Sequence, residues 1–173
     1  MILIEALKKI KSQKKKAEDL RSKIKRYCAY KSTETAVYGD QPKQTVQIKE
    51  WLQAHSDIIK EVERLTLCIH RTNLTTEVEI ELGGKVVKKS IAAWIIRRTE
   101  LANYDRAAYS VLTDNHIEEG FEFTSNQEKI EVKIVRCYDP KERDNKVALY
   151  DGEPFEINSK LEVVNATTTL IED

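Results

Sequence analysis

The chain has 173 residues, of which 40% are hydrophobic and 34% charged, with only 5 Gly and 3 Pro. That length fits one domain, or one domain with an arm, and the composition excludes collagen-like and Gly/Pro-rich disordered chains while leaning towards long helices. The formal net charge is zero, 29 Lys+Arg against 29 Asp+Glu, yet residues 1–31 hold 11 basic and 3 acidic side chains whereas residues 113–173 hold 7 and 15.

The neutral total conceals a chain that runs from positive to negative, so it does not dismiss charged partners. The first residues lack the charged, apolar and small-residue order of a secretory signal. No window approaches 18 uncharged apolar residues, so no membrane-spanning helix and no membrane partner is expected. Cys28, Cys68 and Cys137 are odd in number and far apart. They are expected as buried free thiols in a reducing compartment, which places the chain in the cytoplasm, or in a virion if phage-encoded.

Residues 1–72 read as a helical hairpin. The first helix, about residues 3–28, has a seam of Leu3, Leu7, Ile10, Ala17, Ile24 and Cys28. Lys14 and Arg21 stand in that seam with their stems laid along it, and Leu20 and Tyr27 broaden it. Residues 31–44 lack a period, carry Gly39-Asp40-Gln41-Pro42, and read as the loop. The second helix steps by 3 and 4 through Ile48, Trp51, His55, Ile58, Val62, Leu65, Ile69 and Thr72, which is coiled-coil periodicity. Both helices are about 26–30 residues, or ~40 Å, and pack antiparallel.

Residues 73–89 form a β-hairpin around Gly83-Gly84, with Ile80 opposite Val87 and Glu79 opposite Lys88. Residues 90–112 form a third helix capped by Ser90, with Ile91, Trp94, Ile95, Leu101, Ala102, Ala108, Tyr109 and Leu112 along one side. Residues 113–138 are an acidic loop followed by a strand in which Ile130, Val132 and Ile134 alternate with charges. Residues 139–173 form a C-terminal helix that begins at Asp139-Pro140, with Glu142 at the third helical position. Its seam is Arg143, Val147, Tyr150, Pro154, Ile157, Leu161, Val164 and Thr168, and Gly152 with Pro154 inside it predicts a kink or a break. All five segments read as a single domain.

The second and last helices echo each other. Leu65, Ile69, Asn73, Thr75 and Thr76 fall on Ile157, Leu161, Asn165, Thr167 and Thr168. Each reads as a heptad helix closed by Asn in the left-handed conformation and followed by extended threonines, the two lying side by side.

No pattern carries chemistry. His55, His70, His116 and the cysteines have no metal-ligand spacing, and His55 at a seam position reads as a structural histidine. Gly83-Gly84-Lys85 has Val86 where a P-loop needs Ser or Thr. No nucleophile elbow occurs. No catalytic, cofactor-binding or metal-binding residue is expected, and the chain reads as a non-enzyme. What remains is the basic first helix, where Lys8, Lys11, Lys14, Lys15, Lys16, Arg21, Lys23 and Arg26 are candidates for contact with an anion or nucleic acid. Neutralisation by the acidic C-terminal third or by another copy is the more economical reading, and a phosphate backbone ranks after both.

Ile69-His-Arg-Thr-Asn73 before a short hairpin, a helix carrying Arg97-Arg98-Thr-Glu-Leu101, and a last helix ending in Asn165-Ala-Thr-Thr168 resemble the small family of bacterial and phage proteins that bears the septicolysin label. The resemblance spans most of the chain and departs from the family at the N-terminal basic density and at Gly152-Glu-Pro154. It implies a mostly helical, oligomeric protein whose function is not established. The label's lytic activity finds no support in the residues, which offer no long apolar face for lipid.

The expected fold is mainly α, an antiparallel coiled-coil hairpin with further helices in a bundle and a small antiparallel β element. The expected function is structural. Copies associate into a homo-oligomer or larger assembly through Ile48, Trp51, Ile58, Val62, Leu65, Ile69, Ile157, Leu161 and Val164, as in a phage or prophage virion component. The alternative is a nucleic-acid-binding module that uses the basic helix.

Overall fold

A computed structural model describes residues 1–172, so Asp173, the last residue of the expected C-terminal segment, lies outside the described residues. The chain is mostly helical. In order it forms α1 (Leu3–Tyr27), α2 (Gln41–Thr75), β1 (Glu77–Leu82), β2 (Lys85–Ser90), α3 (Ile91–Ile96), a π-helical turn (Arg97–Leu101), α4 (Ala102–Ser110), β3 (Gly120–Phe123), β4 (Lys129–Val132) and α5 (Pro140–Thr167). Internal contacts divide it into two compact units, Met1–Thr76 with the chain from Glu162 onward, and Glu77–Leu161.

In the first unit α1 and α2 pack against each other. They run antiparallel, since Gln44 near the start of α2 reaches Tyr27 at the end of α1, and Lys9 reaches Glu61. The inward side of α1 is Leu3, Ala6, Ile10, Gln13, Ala17, Leu20, Ile24 and Tyr27, all buried or half-buried. This corrects the expected seam, because Leu7, Lys14, Arg21 and Cys28 are exposed. The two repeats share Leu3, Ile10, Ala17 and Ile24. Stepping 3 before 4 brings Leu20 and Tyr27 inward and leaves both cations in water, where no desolvation is incurred.

The helix α2 begins earlier than expected. The loop ends at Asp40, whose side chain accepts a hydrogen bond from the Lys43 amide at 2.9 Å. Pro42 sits in the first turn, where its missing N–H would have no partner anyway.

The echo between α2 and α5 is present with a different ending. Both helices continue two residues past the asparagine, to Thr75 and Thr167. Their hydroxyls donate to Arg71 O at 2.9 Å and Val163 O at 3.0 Å. Neither Asn73 nor Asn165 is left-handed; among the described residues the non-glycine with positive φ is Gln127. A hydroxyl returning to the preceding turn closes the helix instead. The chain after α5 then ties the termini together. Leu3 N donates to Thr168 O at 2.9 Å, Leu170 N to Met1 O at 2.8 Å, and Ile171 N to the buried Thr72 Oγ1 at 2.9 Å.

In the second unit β1 and β2 pair in the expected register, Ile80 with Val87 and Glu79 with Lys88. Gly83 and Gly84 have φ of +56° and +76°, the left-handed pair that a type I′ turn requires. The ion pair is diagonal rather than directly across, Lys88 Nζ to Glu77 at 2.8 Å. Ser90 Oγ caps α3 by accepting from Ala93 N at 3.2 Å.

The expected third helix is not continuous. The Ala102 N–H donates to Arg97 O, a wider π turn. One inserted residue shifts the phase by about 100°, which keeps Trp94 and Ala102 buried while Leu101 turns outward. Trp94 Nε1 donates to Val78 O at 2.9 Å, so the buried indole is satisfied.

Between α4 and α5 the structure adds a strand that the sequence did not signal, β3, paired with β4. The expected strand stops at Val132, short of Ile134. Asp139 Oδ1 accepts from Lys141 N at 2.8 Å at the start of α5. Gly152 and Pro154 do not break this helix, which runs unbroken to Thr167.

Candidate functional site

The α1–α2 hairpin leaves three surfaces open, and its loop end is the most organised. There Gln44, buried, donates from Nε2 to Tyr27 O at 2.7 Å and accepts from Tyr38 N at 3.5 Å. Tyr27, Tyr38 and Trp51 contact each other pairwise, with ring centroids 5.4–5.9 Å apart and two of the three pairs edge-on. Edge-on aromatic contacts add about 0.5–1.5 kcal/mol each beyond buried area. This clamp fixes the loop against both helices. Beside it lies a cleft of about 640 Å³ between the chain after α1 and the first turns of α2.

The second surface is a side of α2. Its inward seam includes Ile48, Trp51, Ile58, Val62, Leu65 and Ile69, of which Leu65 and Ile69 are buried and the other four half-buried. Ile157 and Leu161 of α5 are buried as well, and Val164 is half-buried. Leu65, Ile69, Ile157 and Leu161 therefore pack within the chain, and a seam to another copy cannot run through them. A second 4–3 run shares part of the first: Ile48, Leu52, His55, Ile59, Val62 and Thr66. Leu52 is 52% exposed and Ile59 45%. This open seam was legible in the residue spacing but was masked by the stronger run beside it.

The third surface is the outer side of α1. Lys8, Lys11, Lys14, Lys15, Lys16, Arg21, Lys23 and Arg26 are all exposed. Lys8, Lys11 and Lys15 stand at helical spacing on one side, and Arg26 returns to it three turns later. Among the described residues Arg21 pairs with Glu18 at 3.4 Å, and the other seven make no ion pair.

Where charge is paired, the pairing is strong. Glu61 receives Lys9 Nζ at 2.7 Å and Arg64 Nε at 2.9 Å. Arg64 first, and Lys9 after it, hold the Glu61 carboxyl down at about 2.

The second unit holds a different cluster, which the sequence reading missed. The π turn aims two adjacent arginines at α5. Arg97 binds Glu153 through both forks, Nε–Oε1 at 2.6 Å and Nη2–Oε2 at 2.7 Å, and reaches Asp105 at 2.5 Å. Arg98 Nη1 reaches Asn158 Oδ1 at 2.6 Å. Glu153 is 4% exposed. Donation of hydrogen bonds to Glu153 is the largest cause of a raised Arg97 pKa, opposed by burial. The signal available in sequence was an acid placed between Gly152 and Pro154 beside the apolar seam. With both guanidinium edges occupied, the cluster is a structural bolt and offers no free general acid or base.

The cysteines and histidines do not converge. Cys68 is buried, while Cys28 and Cys137 are exposed, which corrects the expectation of three buried thiols. Among the described residues no group of three or more His, Cys, Asp or Glu is arranged to hold a metal ion, and no helix is long and apolar enough to cross a membrane.

These features define a mostly helical protein with two small antiparallel β-hairpins. The model of a family of unknown function, DUF6847, matches residues 11–170, and the chain belongs to that family. No curated protein matches it. Among solved structures it is similar to a functionally unknown conserved protein from Corynebacterium diphtheriae, with a TM-score of 0.57 and 21% identity over 99% of each chain, a likeness of fold.

Two measurements test these electrostatics. Removing one member of the buried pair, Glu153→Ala, lowers unfolding free energy by about 3 kcal/mol, and Arg97→Met together with Glu153→Leu recovers most of it; urea denaturation of both variants checks this. Glu61 has its folded pKa depressed from an ordinary value near 4.5, so its contribution is complete above that value and is lost as pH falls towards about 2. Glu61→Gln flattens the urea midpoint against pH across that window, and an unchanged profile refutes the assignment.

Proposed function

We propose that this protein is a non-catalytic structural protein that self-associates, with the open side of α2 meeting a second copy. The carrying observation is the second 4–3 run, Ile48, Leu52, His55, Ile59, Val62 and Thr66, on a helix whose first seam is already occupied. A helix with two overlapping heptad seams suits a neighbour on each side, and α1 is one of them. Covering the exposed parts of Leu52 and Ile59 contributes about 1 kcal/mol for each side chain. The unpaired cations of α1 and the acidic excess of residues 113–173 suit contacts between copies. A phage or prophage virion component is the concrete form we favour, in keeping with the likeness to the septicolysin-labelled family of bacterial and phage proteins.

Light scattering over about a hundredfold range of concentration, at low and high salt, is the test. The chain forms a concentration-dependent oligomer, and Leu52→Asp with Ile59→Asp gives a monomer of unchanged circular dichroism. A wild-type monomer under every condition overturns the reading.

The unpaired outer side of α1 favours a second reading, nucleic-acid binding. On that reading Lys14→Glu, Lys15→Glu and Lys16→Glu together abolish binding to double- and single-stranded DNA. Single replacements make the salt dependence shallower by about one unit of slope each. Isotherms across salt that the triple variant leaves unchanged discard it.

A further inference from the structure

The cleft at the loop end of the hairpin has the size, the lining and the charge of a small-molecule site. Its volume of about 640 Å³ falls within the range of about 300–1,000 Å³ that such sites occupy. Ile48 and Leu52 of α2, with Tyr27 and Ala29 from the other wall, give it an apolar body. Ser32 and Thr45 place hydroxyls in the lining.

One charged side chain lines the cleft, Lys49, and no carboxylate does. Lys49 makes no ion pair among the described residues. The nearest acid in sequence, Glu50, accepts from Gln47 Nε2 at 3.0 Å, and Asp40 is engaged with Lys43 N at 2.9 Å and Lys43 Nζ at 3.5 Å. A cation unopposed at the edge of an apolar cleft favours an anion, since a cationic guest is repelled and a neutral one gains nothing from the charge. The walls are also held before any ligand arrives. Gln44 ties the end of α1 to the loop through Tyr27 O and Tyr38 N, and Trp51 closes the aromatic trio behind them. A site that does not have to be ordered on binding loses less affinity to entropy.

We infer that this cleft binds a small amphipathic anion, a flat apolar body seated against Ile48, Leu52 and Tyr27 with its acid group at Lys49. This goes beyond the assembly reading and does not rest on it, but the two share Ile48 and Leu52, so ligand and second copy compete for that face.

The probe is 8-anilinonaphthalene-1-sulfonate, compared with N-phenyl-1-naphthylamine, which has the same rings and no charge. The titration uses the full chain at a concentration where light scattering finds one species, with binding read by fluorescence and its place by amide chemical shifts. The sulfonate saturates at one equivalent and shifts the amides of Ala29, Ile48 and Leu52. Lys49→Gln, a substitution at an exposed position, weakens the sulfonate about tenfold and leaves the neutral probe unchanged. Leu52→Asp removes both. Equal binding of the two probes to the wild-type chain, an affinity untouched by Lys49→Gln, or shifts confined to other residues each overturn the inference.

Discussion

The register in which α1 packs on α2 decides which side chains of the first unit meet water. A straight helix can carry two 3–4 repeats that share every second position, differing only in whether the step of 3 or of 4 comes first. On α1 the shared positions are Leu3, Ile10, Ala17 and Ile24, and the helix turns Ala6, Gln13, Leu20 and Tyr27 inward with them. The alternative would have carried Lys14 and Arg21 into the interface. On α2 the same geometry divides Ile48, His55 and Val62 between an occupied seam and an open one. The bare cationic side of α1, the open side of α2 and the cleft at the loop end all follow from this one choice.

In the second unit the equivalent constraint is the forked ion pair between Arg97 and Glu153. A buried carboxylate is tolerated only when its charge and lone pairs are answered, and the π turn supplies the answer by widening the backbone at Arg97–Leu101. The same turn restores Trp94 and Ala102 to one face. Pro154 leaves the carbonyl of Tyr150 without its usual intrahelical donor, yet α5 continues. The anchored residue directly before the proline, and Arg98 bound to Asn158 one turn beyond, brace the helix across that gap. Two devices often associated with function, a π turn and an interior proline, here serve each other.

The parts of this fold written in short-range pattern were legible. The Gly83–Gly84 hairpin and its register, the Ser90 cap, the Asp139–Pro140 start of α5 and the seam of α2 all depend on residues within one or two turns of each other. Other features depend on choices between equally local options. Asp40-Gln41-Pro42 is as good a helix start as a turn, and only the packing of Gln44 against Tyr27 selects the first. The strand β3 is readable only once β4 is given a partner. The Arg97–Glu153 pair joins residues 56 apart in sequence, beyond the reach of any periodicity.

Composition and periodicity by themselves determined a mainly helical chain, its long helical hairpin, its β-turn and its division into basic and acidic ends. Each of these follows from local propensity and from the repeat length of a helix or strand. Tertiary structure alone decided which of two overlapping repeats turns inward, which cations remain without partners, and where an acid within an apolar seam finds its arginine. Burial is a property of two surfaces at once. A periodic sequence specifies faces, and only the neighbour that covers one of them determines which face is left for a partner.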